Sequence, residues 1–276
     1  MDTRTHHRRF PDLIKVIQAT SEVCPKTAIP TPSEWAKTAL GFTPNAKQTA
    51  VLDHDAHRLI LCCSRQWGKT TVIAIKALHT AIFQPASEIA VISKSLKQAG
   101  ILIGRVCQSA AILGFPPKRV LGHQHSLHLP NGSKIFAIAN SESSARGYTA
   151  NIVIVDEAAQ VEDDVIGAAS PTLGRTNGKL WLLSTPHGQT GLFFNVWHNE
   201  GLTDWLKMKA TIEDAAYATK EFIEEQKKLF PYNFRQEFYC EFTPAKGRLL
   251  DHERVNKMID PSIAYIRFPS LIKNQM

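Results

Sequence analysis

Gly68, Lys69 and Thr70 close a short polar turn that follows an apolar run, and a helical pattern begins directly after them. Residues 59–63 predict a buried strand, and residues 72–78 have the spacing of a helix. A strand, a short polar turn and a helix that begins at Gly-Lys-Thr are typical of a P-loop, whose backbone N–H groups form a concave site for phosphate oxygens. Lys69 would neutralise the terminal phosphates of a nucleoside triphosphate, and the Thr70 hydroxyl would be a ligand of Mg²⁺.

The turn differs from the regular P-loop motif at its first glycine. The regular motif has a glycine, four residues and Gly-Lys-Ser/Thr, and Cys63 stands where that first glycine would be. The alternative interpretation of this segment is a strand-to-helix turn that carries Gly-Lys-Thr without binding phosphate.

Two adjacent acids, Asp156 and Glu157, follow the run Ile-Val-Ile-Val at residues 152–155. Four β-branched residues in succession are typical of a parallel strand that is buried on both faces. Carboxylates at the tip of such a strand cannot be buried unpaired, which favours a chemical role. Asp156 would hold Mg²⁺ through water, and Glu157 would polarise the attacking water of a P-loop ATPase.

Polar residues elsewhere could complete such a site. Gln48 lies one helix before the P-loop, after Phe42 and Pro44, and its amide could read the edge of an adenine. An exposed glutamine at a helix cap is the alternative for that residue. Ser184 and Thr185 end another apolar run, where small hydroxyls could sense the loss of a γ-phosphate.

The remaining pattern predicts the elements that position these groups. Further strands are predicted at residues 88–93, 179–183 and 206–210, a helix at 94–113, a hairpin at 126–138 and helices over 219–239. Asn131-Gly132 is a strong signal for a two-residue turn in that hairpin. We therefore expect an α/β fold, the three-layer P-loop NTPase sandwich of the RecA/ASCE type with a mainly parallel sheet, plus a small helical lid.

Composition limits the class of protein. The chain has 276 residues, 43% of them hydrophobic, and a net charge of +7. Its pI is near 9.2, which weakly favours a polyanionic partner such as nucleic acid. The five cysteines form no CxxC pair or zinc-finger spacing. No apolar run approaches the roughly 20 residues that span a bilayer, so we expect no membrane partner.

Taken together, the motifs resemble the ATPase domain of the terminase large subunit, the DNA-packaging motor of tailed bacteriophages. The resemblance covers residues 41–250 and is carried by four segments. They are the P-loop variant at 64–70, Arg146-Gly147-Tyr148-Thr149 leading into 155–159, Ser-Thr-Pro-His-Gly at 184–188, and the segment 235–242 that closes the domain.

The resemblance implies roles for individual residues. Arg65 would act near the γ-phosphate, Glu157 would be the catalytic glutamate, and Arg146 would be an arginine finger presented to a neighbouring subunit. The segment 184–186 would couple hydrolysis to DNA movement. Thr70 and Asp156 would be the metal ligands. The implied ATP-binding residues are Gln48, Ser64, Arg65, Gln66, Trp67, Gly68, Lys69, Thr70, Thr71, Ser184 and Thr185.

The resemblance also implies partners. These are ATP and Mg²⁺ as cofactors, double-stranded DNA, the terminase small subunit, the portal protein and further copies in a homo-oligomeric ring, in the host bacterial cytoplasm. The expected organisation is an N-terminal arm (1–40), an ATPase core (41–212), a helical lid (213–250) and a tail (251–276).

One departure from the family is large. A full-length terminase large subunit continues into an RNase H-like nuclease domain with clustered acids. Here Asp251, Glu253 and Asp260 lie on no recognisable strand, and two-metal chemistry needs carboxylates that converge from several strands. We therefore expect an isolated ATPase half, a split or truncated product or a fragment, without nuclease activity.

Two alternatives remain open at this point. A two-lobed helicase shares the Phe-x-Pro…Gln element and the Asp-Glu pair, although neither a second lobe nor a late arginine-rich motif is evident after residue 250. A truncated prophage remnant could bind nucleotide or DNA without turnover.

Overall fold

Seven strands form one sheet in the computed structural model, which describes residues 29–115, 125–215 and 217–244. The sheet order is β3-β4-β2-β5-β6-β1-β7. All neighbouring strands are parallel except β3 and β4. The strands are β1 (Arg58–Cys63), β2 (Glu88–Ile92), β3 (Ser126–His128), β4 (Lys134–Ala137), β5 (Ile152–Asp156), β6 (Lys179–Ser184) and β7 (Trp205–Ala210).

The helices of the described residues connect these strands. Three short 3₁₀ helices lie at Ala158–Gln160, Ser170–Thr176 and Ile212–Asp214. The α-helices are α1 (Pro32–Ala39), α2 (Ala46–Asp53), α3 (Lys69–Phe83), α4 (Leu96–Ile112), α5 (Glu142–Ala145), α6 (Asp163–Ala169), α7 (Leu192–His198), α8 (Lys220–Leu229) and α9 (Pro231–Tyr239).

The hydrophobic core lies on both faces of the sheet, because successive residues of a strand point to opposite faces. On β1, Leu59 and Leu61 pack with residues of α1 to α4. Ile60 and Cys62 pack on the other face with residues of α6 and α7. Two helical layers around a mainly parallel sheet confirm the predicted three-layer α/β sandwich.

The order of the strands places β6 between β1 and β5. Cys62 of β1 pairs in register with Ser184 of β6, and Asp156 of β5 pairs with Leu183. Because these strands are parallel, their carboxyl ends meet at one edge of the sheet. The P-loop, the acid pair and the Ser184 segment therefore share that edge.

Most predicted elements are confirmed. The hairpin is present, but its loop is longer than two residues, since the ladder ends at His128 paired with Lys134. Gly132 has a φ of +84°, whereas Asn131 does not share the positive φ that a type I′ turn requires of both residues. The Asn131 side chain instead donates hydrogen bonds to the Ala81 and Ile82 carbonyls near the end of α3.

The predicted domain boundaries stay predictions. The mainly apolar residues 13–17 of the N-terminal arm, whose pattern is that of a short helix, and the tail after residue 250 lie outside the described residues. Trp35 of α1 is buried in the same cluster as the helix that follows the P-loop. Within the described ranges, we find no helix both long and apolar enough to cross a bilayer.

Candidate nucleotide-binding site

The P-loop segment turns sharply between β1 and α3. Gln66 and Gly68 have φ values of +59° and +99°, and the Gly68 value lies outside the range that side chains favour. Gly68 is the N-cap of α3 and provides no side-chain hydrogen bond to the helix. The first N–H groups of α3 are therefore not capped by a side chain, which is the arrangement that binds anions at a helix N-terminus.

Three charged side chains meet beside this loop. Nζ of Lys69 lies 3.1 Å from Oδ1 of Asp156 and 2.7 Å from Oε1 of Glu157. The Lys69, Asp156 and Glu157 side chains are 10%, 9% and 26% exposed. Burial alone would lower the pKa of Lys69, but the two carboxylates raise it above its ordinary value. Lys69 is therefore a permanent cation at neutral pH.

The backbone of Glu157 is strained. Its φ of +55° places a non-glycine residue in the left-handed region, which costs of order 1 kcal/mol and is concentrated at functional sites. The N–H of Glu157 donates to Oδ1 of Asp156 at 3.1 Å. This conformation sends the chain directly from β5 into a 3₁₀ helix and leaves the Glu157 side chain beside Lys69.

Arg65 contacts the lid helix α9. Its guanidinium forms an ion pair with Glu237, and its backbone N–H donates to the Glu237 carbonyl at 3.1 Å. The Tyr217 hydroxyl donates to the Arg65 carbonyl at 3.3 Å. The Arg65 side chain is 68% exposed, and its expected action near the γ-phosphate stays a prediction.

Gln48 belongs to a capping box at the start of α2. Its Oε1 accepts from the Asn45 N–H at 3.0 Å, and its own N–H donates to Oδ1 of Asn45 at 2.9 Å. Its Nε2 donates to the Trp67 carbonyl of the P-loop at 3.0 Å. The amide lies at the loop and its adenine contact stays a prediction.

The other predicted P-loop residues differ in exposure. Ser64 and Trp67 are buried, and their Oγ and Nε1 atoms have no hydrogen-bond partner among the described residues. The Ser64 N–H donates to the Ala210 carbonyl at the end of β7. Gln66 is exposed, and Thr70 and Thr71 at the start of α3 are half-buried.

Ser184 is fully buried, and its hydroxyl donates to the Thr185 carbonyl at 2.7 Å. Ser184 ends the strand that lies between the P-loop strand and the strand of the acid pair. Ser184 therefore lies between these two strands, and the sensing and coupling roles of Ser184 and Thr185 stay predictions.

Arg146 is held by its own helix. It follows α5 and forms an ion pair with Glu142 at 2.5 Å, with 67% of its side chain exposed. Arg146 lines an open surface cleft of about 640 Å³ together with Tyr148, Asp163 and Arg175. The role of Arg146 as an arginine finger stays a prediction.

The oxygen donors at the loop fit Mg²⁺. Mg²⁺ usually binds one or two protein carboxylates together with substrate phosphates and waters, rather than an all-protein cage. The described residues hold no group of three or more His, Cys, Asp or Glu side chains that could form such a cage. Asp156 and Thr70 carry oxygen donors of the kind that Mg²⁺ prefers, and their role as its ligands stays a prediction.

Sequence reasoning missed Glu237 and Tyr217 as partners of Arg65, and Lys76 as a buried lysine of α3. The segment around Glu237 was recognised only as the end of the lid. No local signal identifies these residues, because each contact joins parts of the chain that are distant in sequence. The capping box of Asn45 and Gln48 was readable from its spacing.

The sheet order and the Gly-Lys-Thr loop define a P-loop NTPase fold. A family model described as terminase large subunit, T4likevirus-type, N-terminal matches residues 60–257. Because the match covers more than half of the chain, the chain belongs to the terminase large subunit family, and the resemblance inferred from the motifs is confirmed.

Curated relatives agree with this placement. The terminase large subunits of Thermus phage G20c and Thermus virus P23-45 are each 28% identical to this chain over 247 residues. The matches cover 76% of this chain and 51% of each relative. The chain thus spans about half the length of the curated relatives that it matches.

Solved structures give the same fold. The ATPase domain of the Thermus phage P74-26 large terminase is 25% identical and is matched over its whole length and 78% of this chain, with a TM-score of 0.67. The HK97 bacteriophage large terminase has a TM-score of 0.62 at 17% identity, covering 77% of this chain and 55% of that one. The P74-26 domain supports the assignment of the chain to the terminase ATPase domain, and the HK97 structure supports the fold alone.

Proposed function

We propose that this chain is the ATP-hydrolysing motor domain of a viral DNA-packaging terminase. It would couple ATP hydrolysis to the movement of double-stranded DNA into a procapsid. The observation that carries the proposal is the contact of Lys69 with Asp156 and Glu157 at the N-terminus of α3. The large terminase of a thermophilic bacteriophage with the same fold, 15% identical to this chain, has a solved structure in complex with ADP.

The P-loop residues would bind the phosphates. Lys69 is a buried cation that can exchange its carboxylate partners for phosphate oxygens. The uncapped N–H groups at the start of α3 would donate to the same oxygens. Thr70 and Asp156 would hold Mg²⁺, which when bound neutralises charge on the phosphates.

Glu157 would act on the attacking water. Its carboxylate is more exposed than that of Asp156, so it can reach a water molecule while Asp156 stays at the base of the site. It would accept a hydrogen bond from the water and orient it towards the terminal phosphate. Release of Lys69 to the phosphate would free the Glu157 carboxylate for this role.

Further roles follow the family's motor function. We propose that Arg65 acts near the γ-phosphate, that Arg146 acts on the nucleotide of a neighbouring copy, and that Ser184 and Thr185 couple hydrolysis to DNA movement. The exposed Arg146 guanidinium supports an action in trans.

The proposed partners are double-stranded DNA, the terminase small subunit and the portal protein, in a homo-oligomeric ring in the host bacterial cytoplasm. The net charge of +7 supports a polyanionic partner such as DNA. Membership of the terminase large subunit family favours this function over a two-lobed helicase.

Steady-state ATP hydrolysis with and without Mg²⁺ tests the proposal. The chain should turn over ATP only with Mg²⁺, and Lys69→Ala should abolish both nucleotide binding and turnover. Lys134→Ala is the matched control, because Lys134 pairs with Glu88 at the opposite edge of the sheet and is half exposed. Nucleotide binding with turnover at background would favour the remnant that binds without hydrolysing.

A further inference from the structure

Gln48 is held by the protein at both ends of its amide. Its Oε1 accepts from the Asn45 N–H at 3.0 Å, and its Nε2 donates to the Trp67 carbonyl at 3.0 Å. A Cβ added at Gly68 would lie 3.1 Å from Nε2 of Gln48. The amide therefore packs directly against the turn of the P-loop.

The hydrogen bond to Trp67 fixes the direction of a neighbouring donor. The peptide bond is planar and trans, so its C=O and N–H groups point in opposite directions. Because the Trp67 carbonyl points to Gln48, the Gly68 N–H points away from Gln48. That N–H immediately precedes the first residue of α3 and belongs to the donors that would face a phosphate.

The far end of α2 is also attached to α3. Lys76, on α3, is buried with 6% exposure. Its Nζ donates to the Leu52 carbonyl at 2.5 Å and to the His54 carbonyl at 2.7 Å. These contacts satisfy carbonyls at the C-terminus of α2, which otherwise have no partner within the helix. Thus α2 is joined to the P-loop at one end and to the P-loop helix at the other.

We propose that Gln48 and Lys76 are positioning residues of the phosphate site: Gln48 orients the Trp67–Gly68 peptide, and Lys76 holds α2 so that Gln48 stays in place. This inference rests on the proposed nucleotide-binding function. Gln48 then acts on every ligand that has phosphates, whether or not it carries an adenine.

A ligand without a base separates this role from adenine recognition. Binding of ATP with Mg²⁺ and of inorganic tripolyphosphate with Mg²⁺ would be measured by calorimetry for the wild type and for Gln48→Met. Methionine is uncharged and similar in length but cannot donate to Trp67. We expect Gln48→Met to lower the affinity for both ligands by the same factor, about tenfold, which is the usual effect of losing one hydrogen bond.

Asn45→Ala is the matched control. It removes the cap of α2 but leaves the Gln48 donor to Trp67. We expect it to weaken tripolyphosphate binding clearly less than Gln48→Met does. Equal weakening by the two variants would mean that Gln48 only caps the helix, and would overturn the inference.

Lys76→Met tests the second contact. It should also weaken tripolyphosphate binding. In a protein that already carries Gln48→Met, it should cause little further loss of affinity, because both changes act through the Trp67–Gly68 peptide. Effects that multiply would overturn the role of Lys76. Thermal unfolding shows which variants are folded. If Lys76→Met does not fold, the comparison of Gln48→Met with Asn45→Ala in tripolyphosphate binding decides the inference.

The two possible failures are distinguishable. If the wild type binds ATP and tripolyphosphate but Gln48→Met weakens only ATP, Gln48 reads the adenine and the positioning inference is wrong. If the wild type binds neither ligand, the proposed function itself is wrong.

Discussion

The Nζ of Lys69 lies 2.7 Å from Oε1 of Glu157. The proposed phosphate-binding cation and the proposed water-polarising carboxylate thus form an ion pair with each other. A phosphate that binds Lys69 must compete with this carboxylate and with Asp156 at 3.1 Å. Binding of the ligand would then also release the group that its hydrolysis requires.

Glu237→Gln should strengthen ATP binding about two- to fivefold, measured by titration of a fluorescent nucleotide. The change removes the carboxylate that would compete with phosphate for the Arg65 guanidinium under the proposed role of Arg65, and it keeps the backbone contact between the two residues. Because the Arg65 side chain is 68% exposed, its ion pair contributes about 1 kcal/mol or less. The free energy of unfolding should therefore hardly change.

Glu241→Gln is the control for that prediction. Glu241 follows α9 and forms an ion pair with Arg235 of that helix. The Glu241 side chain is 37% exposed and the Arg235 side chain 70% exposed. Its ATP affinity should equal that of the wild type. An unchanged or weaker affinity in Glu237→Gln would contradict the proposed competition for Arg65.

Stability should increase with pH through the titration of Lys76. Burial, and then the nearby Lys179, lower its pKa from 10.5 to about 8, while Asp55 and Asp53 act in the opposite direction. Between these values the unfolded chain binds more protons at this residue than the folded chain, so its contribution rises with pH and is lost as the pH falls through 8.

The measurement compares urea unfolding of the wild type and Lys76→Met at pH 7 and pH 10. The wild type should gain about 2 kcal/mol relative to the variant over this interval. The neutral amine still has hydrogens to donate to the Leu52 and His54 carbonyls. A stability difference between the two proteins that does not depend on pH would show that Lys76 does not titrate in this range.

Arg146→Ala should leave ATP binding by the isolated chain within about twofold of the wild type, because its ion pair is with Glu142 and its side chain is exposed. In an assembled motor the same change should lower turnover by about a thousandfold, the usual effect of losing an arginine finger. Turnover per subunit, measured with and without assembly on portal protein and DNA, checks this.

Arg175→Ala is the matched control, since Arg175 lines the same cleft. Its turnover in the assembled motor should stay close to that of the wild type. If the two variants lose the same activity, the cleft contributes general charge and Arg146 has no specific role.

The fold was predictable because its strands are local patterns. The run at 152–155 and the apolar residues 59–63 are each buried strands in the structure, and the Gly-Lys-Thr loop fixes where the following helix begins. The hairpin loop was only partly predictable, because the Asn131 side chain bonds to α3, about 50 residues away.

The site was predictable in its central residues and not in their neighbours. Lys69, Asp156 and Glu157 were found from short motifs, and the structure brings them together. The contact of Arg65 with Glu237 spans 172 positions and has no local signature. Lys76 lies in the apolar run at residues 72–78, and only the packing of α2 on α3 shows which groups its buried ammonium contacts.

Lys69 and Glu157 form the centre of the proposed site of ATP hydrolysis. The most direct measurement is turnover at saturating ATP and Mg²⁺ for the wild type and Glu157→Gln, with ATP affinity measured in parallel. Glu157→Gln should bind ATP at least as tightly as the wild type, because one competing carboxylate of Lys69 is neutralised. Its turnover should fall by about a hundredfold or more. Turnover by Glu157→Gln at the wild-type rate would mean that Glu157 does not act on the attacking water.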